Sequence, residues 1–400
     1  MPWLCLLFLF SLCAPVWSQT ELEVRLGPHS VEVEGGSRLS GKLPDGAKII
    51  PGDHLHYRIG LCPVFPVQVL TPQRWLPSGV APYKLHIQCQ PGVGYVTSLP
   101  ATDTDRVVID QDQLDEHPLF AFGRLEVRQH RFQGGVISAA YVPGAFKLTD
   151  DQLNSWIQKT GQGVAGFFGR FPVERAVLLV TPLDSDSIEG VTYGQGGPHI
   201  WVQIPKKFSA ADEAGSWQLC HEMVHLAVPD MPYEQHWLEE GIATYVEPLI
   251  RLQTGEISAE RVWLDLLDGL PKGLADVKKG GLDGNHRWGA TYWGGALYCL
   301  LADLRLRVES QNQHHLQEAL RAVVARGNIT QNWTISEFLD TADQATQSQV
   351  FHQVHQELGR GGSVDLDQLW RDLGIEQRSG RIHFVAAPLD FVRRGMTGSP

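Results

Sequence analysis

The sequence predicts a multidomain α+β protein: a β-sandwich-like N-terminal domain, then an α/β lobe, then a mainly helical region. Three observations predict it. Up to Gly144 the chain reads as short alternating strands punctuated by Pro and Gly. After Thr149 a helical pattern leads into apolar strands, and from about Trp237 to Gly374 apolar residues recur at helical spacing. At 400 residues the chain is also longer than one hydrophobic core usually organises.

The first element is a leader. Met1 to Cys13 has no charged side chain, and the run Trp3-Leu4-Cys5-Leu6-Leu7-Phe8-Leu9-Phe10 is too short to span a bilayer comfortably. With Pro15-Val16-Trp17-Ser18 behind it, residues 1–18 read as a signal peptide, although no Lys or Arg precedes the apolar run. The expectation is an exported chain, periplasmic or secreted, with no transmembrane helix once the leader is removed. In an oxidising compartment Cys62 and Cys89 either form a bridge or stay as buried thiols; the residues leave both open.

Residues 19–144 form the expected β-rich domain. Glu21-Leu22-Glu23-Val24-Arg25-Leu26 and Leu125-Glu126-Val127-Arg128 alternate polar and apolar side chains, while Val67-Leu70 and Tyr83-Ile87 are bounded by turn residues. The next unit, 145–275, starts with a helix signal at Thr149-Asp150-Asp151. Arg175-Val180 is a continuous apolar strand of the kind buried inside a sheet, and Ile200-Ile204 is another. Residues 276–400 complete the chain as a helical region with a terminal strand at Ile382-Val385. Leu297-Leu301 is apolar but is followed by Asp303, Arg305 and Arg307, so it reads as a core helix.

Composition excludes some partners. With 33 basic and 45 acidic residues the net charge is −12, and no Lys/Arg run stands out, which argues against nucleic acid. No CxxC spacing, G-x-S-x-G elbow or P-loop is present.

The chemistry lies in His221-Glu222-Met223-Val224-His225. On a helix, residues four apart stack on one face, so both imidazoles can bind one metal ion. Glu222 sits about 100° round the helix, within reach of a water at that ion and unable to bind the ion itself. Catalytic zinc usually takes three protein ligands. Fourteen residues separate His225 from Glu240, and Pro229 and Pro232 between them break the first helix so that a second can return across it.

H-E-x-x-H followed by Trp237-Leu238-Glu239-Glu240-Gly241-Ile242-Ala243-Thr244-Tyr245 resembles the gluzincin peptidases, notably the membrane alanyl and glycyl aminopeptidase families. The resemblance implies a thermolysin-like catalytic lobe and one Zn2+ per chain held by His221, His225 and Glu240. It implies Glu222 as the general base and a peptide or protein as substrate. Glu240, rather than Glu239, holds the ligand place in the motif; Glu239 is expected to be exposed. Thr244, one turn on, is a candidate donor to a ligand. Thr291-Tyr292-Trp293-Gly294-Gly295 is similar to the segment whose tyrosine faces the metal in those enzymes. Tyr292 is therefore the expected donor to the developing oxyanion, an interaction worth about 3 kcal/mol.

Two departures matter. The spacer before Glu240 is shorter than in the aminopeptidases. Their Gly-rich edge strand carries a glutamate for the substrate's free amine, whereas Gly190-Val191-Thr192-Tyr193-Gly194-Gln195-Gly196-Gly197 holds no acid. Glu189 just before it is the nearest one, which leaves free-amine recognition unsupported. Other readings stay open: the same scaffold acting on a non-peptide bond, or a non-catalytic envelope binding protein that retains a zinc site. Oligomeric state is not legible.

Overall fold

The computed structural model describes residues 20–398 except 36–42, 46, 51–54, 62–66, 78–81, 104, 117 and 214. The expected leader and Cys62 lie outside the described residues. Cys220 and Cys299 are buried free thiols, and Cys89 is an exposed one.

Strand alternation builds the N-terminal part. In Thr20–Gly27 the side chains of Leu22, Val24 and Leu26 are at most 1% exposed, while Glu21, Glu23 and Arg25 point to the other face. This strand pairs in parallel with Tyr83–Cys89 and antiparallel with Ser30–Gly35, inside a seven-stranded sheet. A three-stranded sheet contributes Phe120 and Phe122 to the same core, beside Trp75. The outer face carries ion pairs such as Arg58–Glu32 and Lys84–Glu21.

A five-stranded sheet follows, in the spatial order 126–132, 135–141, 175–183, 199–205, 189–193. The hairpin formed by Glu126–Phe132 and Gly135–Tyr141, which alternation alone groups with the earlier strands, pairs here with Arg175–Leu183. Alternation identifies a strand but says nothing about its partner sheet. The helix Asp150–Phe168 makes the crossover between the two parallel strands. It starts where its capping residues require: Thr149 and Gln152 form a capping box. Glu189–Tyr193 is one of the sheet's two edge strands, paired among the described residues only with His199–Pro205.

The remainder is helical, with a short hairpin at Ile375–Arg378 and Arg381–Phe384. Among these helices are Gln218–His225, His236–Gln253, Ala259–Gly280 and Gly295–Ser310. One core unites the five-stranded sheet with them, from Ile137 and Leu178 to Leu238, Leu297 and Phe351. Among the described residues no helix is long and apolar enough to cross a membrane.

Candidate active site

The helix Gln218–His225 buries Leu219, Cys220, Met223 and Val224 against the core. That packing turns His221, Glu222 and His225 towards the edge strand and the helix His236–Gln253. The chain leaves the first helix through Pro229 and Pro232 and re-enters helix at His236, so the spacing read from the prolines corresponds to a real return.

The potential ligand atoms of His221, His225 and Glu240 lie within 4.8 Å of one another. Glu240 Oε2 is 3.1 Å from His221 Nε2 and 3.5 Å from His225 Nε2. His221 is 5% and Glu240 8% exposed, so a carboxylate has been taken out of water between two imidazoles. Burial alone would raise the Glu240 pKa; hydrogen bonds from His221, His225 and His236 outweigh it and hold the carboxyl far below its usual range. Burial likewise favours neutral His225, but the hydrogen bond and charge of Glu240 raise it to about 9. Two nitrogens and one carboxylate oxygen converging in a largely dry pocket fit the donor set that zinc accepts.

Glu222, 8% exposed, is held from the edge strand. Thr192 Oγ1 lies 2.6 Å from Glu222 Oε2 and 2.9 Å from its backbone carbonyl, and donates to them. Gly190 faces the same carboxylate: a Cβ added there would sit 2.7 Å from Glu222 Cγ and 2.8 Å from Oε1. Residues of one strand alternate between faces, so Gly190 and Thr192 meet Glu222 while Glu189, Val191 and Tyr193 belong to the opposite face. Glu189 therefore does not stand beside the site as a substitute amine anchor.

Tyr292 reaches the cluster through a π-helical turn, Gly289–Gly294, which runs into the helix Gly295–Ser310. Such turns frequently mark functional sites. Its position depends on a glycine contact. A Cβ on Gly241 would lie 2.3 Å from Gly295 Cα, and one on Gly295 would lie 2.1 Å from the Trp237 carbonyl. The two helices thus touch backbone to backbone one residue after Glu240 and three after Tyr292. The Tyr292 ring lies 6.3 Å from that of His221. Burial and the Glu240 charge push the phenol up to about 12, so it keeps its proton at neutral pH.

Two expectations need correction. Glu239 is not exposed: its side chain is 13% accessible and accepts from His236 Nδ1 at 2.8 Å. His236 folds back over the first turn of its helix and also lies 3.4 Å from Glu240 Oε1. Those hydrogen bonds, to Glu239 first and Glu240 second, raise His236 to about 10. Thr244 makes no side-chain hydrogen bond with the described residues; the group beside Glu240 is His236. Tyr245 and Tyr298 are core residues, hydrogen-bonded to Asp303 and the Phe351 carbonyl respectively. Thr192 and Gly190 were not legible as site residues. Only the glycines around them hinted at a close approach.

No protein-family model and no curated protein matches the sequence. Solved structures do match. An aminopeptidase N family protein from Idiomarina loihiensis is similar over 89% of this chain and 78% of that one, at TM-score 0.63 and 15% identity. An M1 zinc metallopeptidase from Deinococcus radiodurans is similar over 86% of this chain and 94% of that one, at TM-score 0.51 and 16% identity. The chain has the fold of the M1 zinc metallopeptidases, the one that its motifs resemble.

Proposed function

We propose that the protein is an exported, zinc-dependent peptidase that uses one Zn2+ per chain. The observation that carries the reading is the convergence of His221, His225 and Glu240 within 4.8 Å, with Glu222 next to them and hydrogen-bonded to Thr192. Held by those three side chains, zinc would supply Lewis-acid polarisation and an acidified water.

The chain's own residues do the remaining work. Glu222 takes the proton of the attacking water and delivers it to the departing amine. Thr192 fixes one oxygen of that carboxylate, and Gly190 leaves room for it. The Tyr292 phenol donates to the oxygen on which negative charge develops. His236, supported by Glu239, holds the second oxygen of Glu240 and so orients the carboxylate. The free outer edge of Glu189–Tyr193 offers backbone groups to an extended substrate. We also propose that the chain divides into units near 275 and, because the 126–141 hairpin pairs into the central sheet, near Arg124 in place of the expected 144.

Zinc content and peptide turnover, measured on the same preparations, test the reading. The unaltered protein should hold one zinc and turn over. Glu240→Gln should lose both, and Glu222→Gln should keep the zinc and lose turnover by about 10²–10⁴-fold. Zinc-independent turnover would sink the proposal.

A further inference from the structure

Two tryptophans beside the site have no part in the chemistry above. Trp217 stands at the N-terminal end of the motif helix and is 45% exposed; Trp288 precedes the π-helical turn and is 58% exposed. They end a string of four rings. Trp217 meets His221 edge-on at 5.3 Å, His221 faces Tyr292 at 6.3 Å, and Tyr292 meets Trp288 at 5.9 Å.

A packing role looks different in this molecule. Trp75, Trp237 and Trp263 are at most 2% exposed. A single exposed apolar side chain calls for no explanation. Two half-exposed indoles, one in contact with His221 and the other with Tyr292, present apolar area at either end of a ring string that crosses the candidate reaction centre. Indoles supply large, rigid contact area at small entropic cost. A cationic partner is disfavoured because the neighbouring carboxylates already have partners: Glu222 with Thr192, Glu239 with His236, and Glu240 with the imidazoles.

We propose that Trp217 and Trp288 bind large apolar side chains, aromatic or aliphatic, on the substrate residues flanking the bond that is cut. This rests on the peptidase reading of the site and adds a substrate class to it.

The test uses peptides of one sequence, each made with a free and with an N-acetylated amino end, with Phe, Leu, Ala, Lys or Asp on both sides of the first bond and of a central bond. The zinc-loaded protein is assayed for kcat/KM, and the Glu222→Gln protein for peptide binding by calorimetry. Phe and Leu peptides should be favoured over Ala by at least about ten-fold, and Trp217→Ala or Trp288→Ala should lower that ratio by a similar factor. Trp→Phe at either position should preserve it, and circular dichroism checks that each variant is folded. A flat preference, a Lys preference, or a ratio unmoved by both alanine variants overturns the inference. Metal-dependent cleavage with no apolar preference overturns it alone and leaves the peptidase reading standing. Without cleavage, tryptophan-dependent binding of the Phe peptide keeps the apolar surface and overturns the peptidase reading. Neither cleavage nor binding overturns both.

Discussion

Glu222 shows how much one residue depends on neighbours far away in sequence. Its carboxylate is clamped by a threonine and a glycine thirty and thirty-two positions earlier, on a different kind of element. The spacing of His221 and His225 announces that their rings meet, because a helix converts four-residue spacing into adjacency. Nothing local to Thr192 announces its contact, because that depends on how a strand docks against a helix. Glu239 departs from its expected exposure for a similar reason: its position on the helix gives no sign that His236 will fold over it. A hydrogen bond to a charged group is worth about 1.5–3 kcal/mol. Thr192→Val should therefore lower kcat by about 10- to 100-fold, with zinc content unchanged, and Thr192→Ser should restore most of it. Steady-state kinetics on the three proteins, with zinc measured alongside, checks this; equal kcat in Thr192→Val would remove Thr192 from the account. At Gly190 even a methyl group lies within 2.8 Å of Glu222 Oε1, so Gly190→Ala should lower kcat by displacing the base.

At the scale of elements, the site is an assembly of four pieces: the motif helix, the helix returning from His236, the π-helical turn and the edge strand Glu189–Tyr193. The first two were legible from the H-E-x-x-H spacing and the two prolines. The third was legible only as a tyrosine near glycines, and the physical reason for one of them, Gly295, is its backbone contact with Gly241. A methyl group on Gly295 would meet the Trp237 carbonyl at 2.1 Å. Gly295→Ala should thus force the helices apart and destabilise the fold by about 1–3 kcal/mol, as overpacking does. Chemical denaturation would read that change. Activity should fall further than stability alone explains, because Tyr292 moves with the turn. A fully stable and active Gly295→Ala protein would show that the crossing is looser than described. The edge strand belongs to this scale too: alternation places Glu189 away from Glu222, which is why an acid adjacent in sequence is not adjacent in space.

For the whole molecule, the mixture of sheets and helices was legible because strands and helices have different hydrophobic periods. Sheet membership was not, since the 126–141 hairpin looks like its predecessors until pairing assigns it to the central sheet. On the proposed reading, a buried Glu240 between two imidazoles ties a bound metal to global stability, because zinc would bind the folded arrangement and not the unfolded chain. Removing zinc with a chelator should lower Tm, and adding it back should restore it, as read by scanning calorimetry; an unchanged Tm would mean that the site is filled by no metal in the folded protein. The most direct test of the central claim is digestion of a diverse peptide mixture, with every cut read by mass spectrometry, using the intact, chelated and Glu222→Gln proteins side by side. The account predicts cuts by the intact protein alone. Cuts that persist after chelation, or in the Glu222→Gln protein at the same rate, would contradict it.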